Sequence, residues 1–340
     1  LEGMLIAATR RQVLPVVLGV LEDNGILPFG SLQRFSRDSL PGKLRDARQQ
    51  FSTRRQLLTK ALRDIIAALN SNGIQPLILK GSMSLLTGHP DWRFQRDIDV
   101  AVDPGQADDA VSALKEVGFR ICDGAHARPH HLPAMERQGL PATVELHVRL
   151  AGSRARSVLP DHVLLDTVTH LVWNGLEVRQ LGKAGFVLHG LAHHHFQNRG
   201  YLFGTFSLKG LIECATSLEE LDNADIDQCL EMIRPLPRLH AGFQLWCALA
   251  QTVLGARLDE QLQPDPTAVS LAAATAKRFV EGQTSLPVTA AWEQMKMVAR
   301  LNPQARFGKA FAEPLLEAGH TAVWFDHQNQ RRNASGILQE

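Results

Sequence analysis

Asp97-Ile98-Asp99 sets two carboxylates two residues apart in a run that alternates through Val102. On an extended strand, residues i and i+2 share a face. The carboxylates therefore stand ~6–7 Å apart on one side, with Ile98, Val100 and Val102 on the other. Hard oxygen ligands at that spacing suit Mg²⁺, and two bridged metals stabilise both the attacking and the leaving oxygen of a displacement at phosphorus. Alone, a D-x-D pair fits a solvated strand face better than a metal site. Lys80-Gly81-Ser82, upstream, changes that balance. Gly81 lets backbone N–H groups approach a phosphate closely. Ser82 adds a hydroxyl donor and suits the cap of a short helix through about Leu86, whose N-terminus favours anions. Lys80 can neutralise phosphate charge. Each part has a plain structural reading, a strand-to-helix turn or a polar strand face, but the ordered combination is much rarer than either part.

Several elements must hold these residues in place. Leu57, Leu58, Ala61, Leu62, Ile65, Ile66 and Leu69 recur at helical spacing and predict a helix over about 50–70, stopped at Asn70-Ser71-Asn72-Gly73. Residues 77–79 read as a short buried strand and Asp97–Val102 as a second. Val111, Leu114 and Val117 mark a helix ending at Gly118, and residues 119–122 suit a strand. Thr143–Leu150 alternates again, with Val144, Leu146, Val148 and Leu150 on the apolar face and Glu145, His147 and Arg149 on the polar one. From about Phe186 onward the pattern is helical. The expected organisation is an N-terminal helical segment at 4–70, a mixed α/β core at 71–182, a helical C-terminal domain at 183–327 and a loose polar tail at 328–340. The fold class is thus α/β (α+β), a small mixed sheet with flanking helices and a mostly helical C-terminal half.

Taken in order, Leu79-Lys80-Gly81-Ser82, Arg93-Phe94-Gln95-Arg96-Asp97-Ile98-Asp99-Val100 and Val144-Glu145-Leu146-His147 resemble the nucleotidyltransferase superfamily that includes DNA polymerase beta and kanamycin nucleotidyltransferase. The similarity is greater to a bacterial branch of uncharacterised nucleotidyltransferases, and by motif it covers about residues 76–150. The resemblance implies that Gly81 and Ser82, with Lys80, bind a triphosphate tail. It implies that Asp97 and Asp99 are metal ligands, and that Glu145 is a third carboxylate able to complete the metal site and activate an acceptor hydroxyl. The residues agree, because the Glu145 strand has a polar face that suits a place beside the D-x-D strand. Arg93 fits a bidentate phosphate clamp or a surface ion pair equally, whereas Arg96 fits the ion pair better. His147 shares the face of Glu145 and reads as structural ahead of catalytic.

Histidines 189, 193, 194 and 195 invite a metal reading, since His189 and His193 are i, i+4. H-E-x-x-H is absent, so a zinc hydrolase ranks below a cleft role, for which His193 is the candidate. The four cysteines show no C-x-x-C pair and read as reduced thiols of a cytoplasmic protein. No apolar run reaches the ~20 residues of a membrane span. A formal net charge of +1 and scattered tryptophans give no nucleic-acid footprint. The expected activity is transfer of a nucleoside monophosphate from an NTP, ATP first, with Mg²⁺ or Mn²⁺. The expected acceptor is a small molecule or peptide rather than a nucleic acid. A nucleotide-binding protein without turnover is the alternative, and oligomeric state is left open.

Overall fold

The computed structural model describes residues 14–23, 39–88, 93, 95–198, 200 and 205–281; the expected tail at 328–340 and Trp92 and Phe94 lie outside them. In chain order the helices are α1 (Leu14–Asp23), α2 (Leu40–Ser71), α3 (Met83–Thr87), α4 (Ala107–Glu116), α5 (Ser153–Arg156), α6 (Asp161–Leu165), α7 (Lys183–Leu191), α8 (Leu208–Glu219), α9 (Asn223–Ile233), α10 (Pro237–Leu249) and α11 (Pro266–Val280). The strands are β1 (Leu77–Ile78), β2 (Asp97–Ala101), β3 (Arg120–Ile121), β4 (Met135–Glu136), β5 (Thr143–His147), β6 (Val168–Trp173) and β7 (Leu176–Leu181). The described residues divide into two compact units. The first runs to Gly152 and adds Leu164–Gly182; the second joins Ser153–Val163 to the chain from Lys183 onward.

In the first unit the seven strands form one mixed sheet, ordered β3-β4-β5-β2-β1-β7-β6. The α/β class is as expected from the sequence. β2 lies parallel to β5 and antiparallel to β1. Two strand lengths differ from the sequence reading. β1 stops at Ile78 because Leu79 already caps the 3₁₀ turn Lys80–Ser82. β5 stops at His147 rather than Leu150, because the His130 carbonyl accepts the N–H groups of both Val148 (3.0 Å) and Arg149 (3.2 Å) and pulls the backbone out of the ladder. The β6–β7 hairpin went unread, although Asn174-Gly175 is a strong hairpin signal. Both residues have positive φ, at 50° and 79°, as a two-residue type I′ turn requires.

α2 supports this sheet through the predicted stripe. Leu58, Ala61, Leu62, Ile65, Ile66 and Leu69 are all at most 1% exposed, whereas Leu57 is 41% exposed at the stripe's margin. Burying each such aliphatic side chain stabilises the fold by about 1.5–3 kcal/mol. The helix begins ten residues earlier than its periodicity predicts, since Ser39 caps it by accepting the Gly42 N–H (3.2 Å). Leu44, on this early stretch, packs with Leu18 of α1. At the other end the Asn70 amide bonds the Glu177 backbone twice (2.9 and 2.8 Å), stitching α2 to β7.

The second unit is helical, as expected. Its core includes Leu188, Leu191, Phe196, Leu211, Leu239, Phe243 and Trp246. α7 passes into a π-helical stretch at Ala192–Gln197. Gly210 of α8 permits a close approach there, since a Cβ at that position would lie 2.6 Å from the His194 ring. That ring stacks on Trp246 with centroids 6.2 Å apart. No helix among the described residues is long and apolar enough to cross a membrane.

The thiols test this packing. Cys214, Cys229 and Cys247 are buried and Cys122 is half-buried. Burial pushes the Cys214 and Cys229 thiols up to about 12. Native protein treated with a thiol reagent near pH 8 should therefore label at Cys122 first, with the other three reacting only on denaturation. Rapid native labelling of Cys247 would contradict the helical core.

Candidate active site

Asp99 lies near the centre of the sheet, directly opposite Glu145 in the parallel β2–β5 pair, with Ala101 opposite His147. Because side chains alternate along a strand, Asp99, Glu145 and His147 project on one face. Asp99 is 2% exposed. Its Oδ1 takes the Lys80 ammonium at 2.7 Å and His147 Nε2 at 2.8 Å. Burial alone would raise the Asp99 pKa, but Lys80 and His147 outweigh it and hold the carboxyl far below the usual carboxylate range. Burial likewise opposes the Lys80 charge, yet Asp99, with Glu145 and Asp97 adding to it, raises that pKa above its ordinary value.

The Lys80-Gly81-Ser82 turn is tied to β2 by its own side chains. Lys80 adopts φ 46°, a left-handed conformation that costs roughly 1–2 kcal/mol in a residue with a Cβ. The Lys80–Asp99 pair is what accompanies that strain. Ser82 differs from the sequence reading. It sits in the αR region with no side-chain capping bond, and its fully buried hydroxyl accepts the Asp99 backbone N–H instead (2.7 Å). Gln95 bonds both the Gly81 carbonyl and Ser84 Oγ, the latter at 2.8 Å. Arg54 of α2 grips the Gln95 carbonyl through Nε (3.0 Å) and Nη2 (2.7 Å), while Arg55 Nη2 reaches the Ser84 carbonyl at 2.6 Å. Gly81 is needed for packing as well as for access. A Cβ there would stand 3.2 Å from Gln95 Cγ and 3.3 Å from the Arg93 guanidinium, so Arg93 lies against the loop.

Two histidines that sequence reasoning passed over complete the site. A loop bridge pairs His131 with His147, and the ring centroids of His130 and His131 lie 5.7 and 5.5 Å from that of His147. Burial first, then His131 and His147, press the His130 pKa down to about 4. No local motif signals these residues, because the Leu132–Leu146 backbone bond (2.8 Å) that brings the loop in spans fourteen positions.

Asp99, Glu145 and His147 each bring a ligand atom within 4.8 Å of the others, which suits one divalent cation; no other such group occurs among the described residues. Of the expected ligands, Asp97 stands outside this group, partly exposed at the start of β2, about 6–7 Å earlier along the strand. Arg96 is exposed. His193 belongs to the second unit, half-buried in the π-helical stretch, and none of His189 to His195 joins a metal-suited group.

Replacing Lys80 by Met keeps the aliphatic stem but removes the cation from a buried carboxylate. The expected loss is ~3–5 kcal/mol at pH 7 by urea unfolding. Since the Asp99 pKa is depressed in the folded state, its contribution is present above about pH 4 and fades as pH falls toward the folded value. The gap between wild type and Lys80→Met should narrow on acidification. A loss under about 1 kcal/mol at pH 7, typical of an exposed pair, would contradict this assignment.

Solved structures similar to the chain include the following two. The antibiotic-resistance factor ANT(2'')-Ia is 15% identical over 68% of this chain and 95% of its own, with a TM-score of 0.30. An antigenic nucleotidyltransferase-like protein from Paracoccidioides brasiliensis is 19% identical over 60% of this chain and 94% of its own, with a TM-score of 0.31. Among curated protein sequences, none matches significantly. The family model for uncharacterised nucleotidyltransferases matches residues 2–255, spanning β1, β2, β5 and the whole Asp99–Glu145 site, and the chain belongs to that family.

Proposed function

We propose that this nucleotidyltransferase transfers a nucleoside monophosphate from an NTP, ATP first, to a hydroxyl of a small-molecule or peptide acceptor. The observation that supports this most is the cross-strand pairing of Asp99 with Glu145 beside the Lys80-Gly81 turn. Asp99 and Glu145, with Asp97 at the strand's open end, would hold the divalent cation, Mg²⁺ or Mn²⁺. When bound, that ion neutralises triphosphate charge. Lys80 and Arg93 bring two more positive charges to the same loop, and Gly81 offers backbone approach without a side chain.

Glu145 differs from Asp99 in access. Its side chain is 21% exposed against 3% for Asp99. An incoming hydroxyl can reach Glu145, so Glu145 takes the acceptor proton as the new oxygen–phosphorus bond forms at the α-phosphate and the bond to pyrophosphate breaks. Asp99, pinned by Lys80, His147 and its own backbone bond to Ser82, is the fixed reference against which the phosphates are positioned.

α-Labelled NTPs, a divalent cation and a panel of hydroxyl acceptors test the reading. The expected result is acceptor labelling with matching pyrophosphate release. Glu145→Gln should lower kcat by roughly 10²–10⁴-fold while NTP affinity changes little. Asp99→Asn should lower metal affinity and turnover together. NTP binding with no pyrophosphate released for any acceptor would instead identify a nucleotide-binding protein without turnover.

A further inference from the structure

We propose that His147 and His131 are nitrogen ligands of the Asp99–Glu145 metal site, which makes it selective for first-row transition dications over Mg²⁺. The inference rests on reading this site as one that handles a metal-bound nucleotide, and it names the class of metal.

Ligand atoms about 2.1 Å from one ion stand roughly 3–4 Å from one another. His147 Nε2 lies 2.8 Å from Asp99 Oδ1 and 3.7 Å from Glu145 Oε2, and His131 Nε2 lies 3.8 Å from the same Glu145 oxygen. Asp99, Glu145 and His147 thus bring one donor atom each within 4.8 Å of one another, and His131 Nε2 adjoins that group through Glu145, so two carboxylates supply charge and two imidazoles can supply nitrogen.

The His131 ring gives an independent reason. It is 4% exposed, and its Nδ1 lies 2.7 Å from the Leu132 carbonyl. A carbonyl oxygen only accepts, so Nδ1 carries the proton. Nε2 is left buried, without a hydrogen-bond partner, and 3.8 Å from the Glu145 carboxylate, too far for a hydrogen bond. A dication held between that nitrogen and the carboxylate would give both a partner. A backbone carbonyl fixing one imidazole nitrogen while the other is left for a metal is the common arrangement around ligating histidines. Imidazole nitrogen favours Zn²⁺ and its first-row neighbours, whereas Mg²⁺ takes oxygen ligands and keeps its waters. Two contacts compete within the site: the Lys80 ammonium on Asp99 Oδ1, and the hydrogen bond that His147 Nε2 donates to the same oxygen, whose proton an incoming ion must displace.

Metal-stripped full-length protein should be titrated calorimetrically with Zn²⁺, Mn²⁺ and Mg²⁺, without nucleotide. The expected order is Zn²⁺ and Mn²⁺ binding at least about tenfold tighter than Mg²⁺. In His147→Gln and in His131→Gln, that advantage should fall about 10–100-fold while Mg²⁺ affinity changes little. Pulsed electron paramagnetic resonance of the Mn²⁺-loaded wild type should show imidazole ¹⁴N coupling, a readout that needs neither a variant nor turnover. Mn²⁺ bound without ¹⁴N coupling, or Mg²⁺ bound as tightly as Zn²⁺, would overturn the proposal. The two readings fail separately. Nucleotidyl transfer with Mg²⁺ and no nitrogen coupling removes this inference alone, whereas nitrogen coupling without transfer for any acceptor removes the proposed reaction alone.

Discussion

Asp99 places a negative charge at 2% exposure in the middle of the mixed sheet, and the residues around it are arranged to balance that charge. Left unpaired, such a carboxylate would cost several kcal/mol. Lys80 and His147 meet the same carboxylate oxygen, at 2.7 and 2.8 Å. The residue's own N–H goes to Ser82 Oγ. Lys80 reaches its position only because the turn after β1 enters the left-handed region at that residue. The phosphate-loop candidate and the metal-ligand candidate are therefore one electrostatic unit rather than two motifs that happen to be neighbours. Any event that changes the charge at Asp99 must be felt at Lys80 and His147, so a cation bound there would be coupled to the geometry of the loop.

A second layer keeps that unit in register. Gln95 bonds the Gly81 carbonyl and Ser84, and is itself held through its backbone carbonyl by Arg54, so α2 reaches the loop through Arg54 and Gln95. Arg55 does the same to Ser84. The apolar stripe one turn further on anchors α2 against the sheet. Rigid support of this kind is what positioning chemistry requires, since small displacements of a phosphate or a carboxylate cost large factors in rate.

The carboxylates were legible because they sit on clean alternation. Asp99 and Glu145 fall on the polar faces of strands whose apolar faces are unambiguous, and a parallel pairing then sets them opposite one another. The α2 stripe was legible for the same reason at the helical period, with Leu57 the one position assigned to the wrong side. The roles of Ser82, Gln95, Arg54 and Arg55 were not legible, because each depends on a bond to a residue far away in sequence. His131 and His130 arrive by a loop pairing that carries no periodicity. Ser153–Val163 joins the helical unit although it lies between strands of the first, and composition gives no sign of that exchange. The Asn174-Gly175 turn was readable, and its hairpin completes the edge of the sheet.

The central claim is that Asp99 and Glu145, side by side across β2 and β5, form a metal and triphosphate site with the Lys80-Gly81 turn. The most direct measurement is a crystal structure with a non-hydrolysable ATP analogue and Mn²⁺, using anomalous scattering to locate the ion. The expected result is an anomalous peak between Asp99 and Glu145, with the triphosphate against Gly81 and within reach of Lys80. Nucleotide bound elsewhere, or an ion that contacts neither carboxylate, would contradict it.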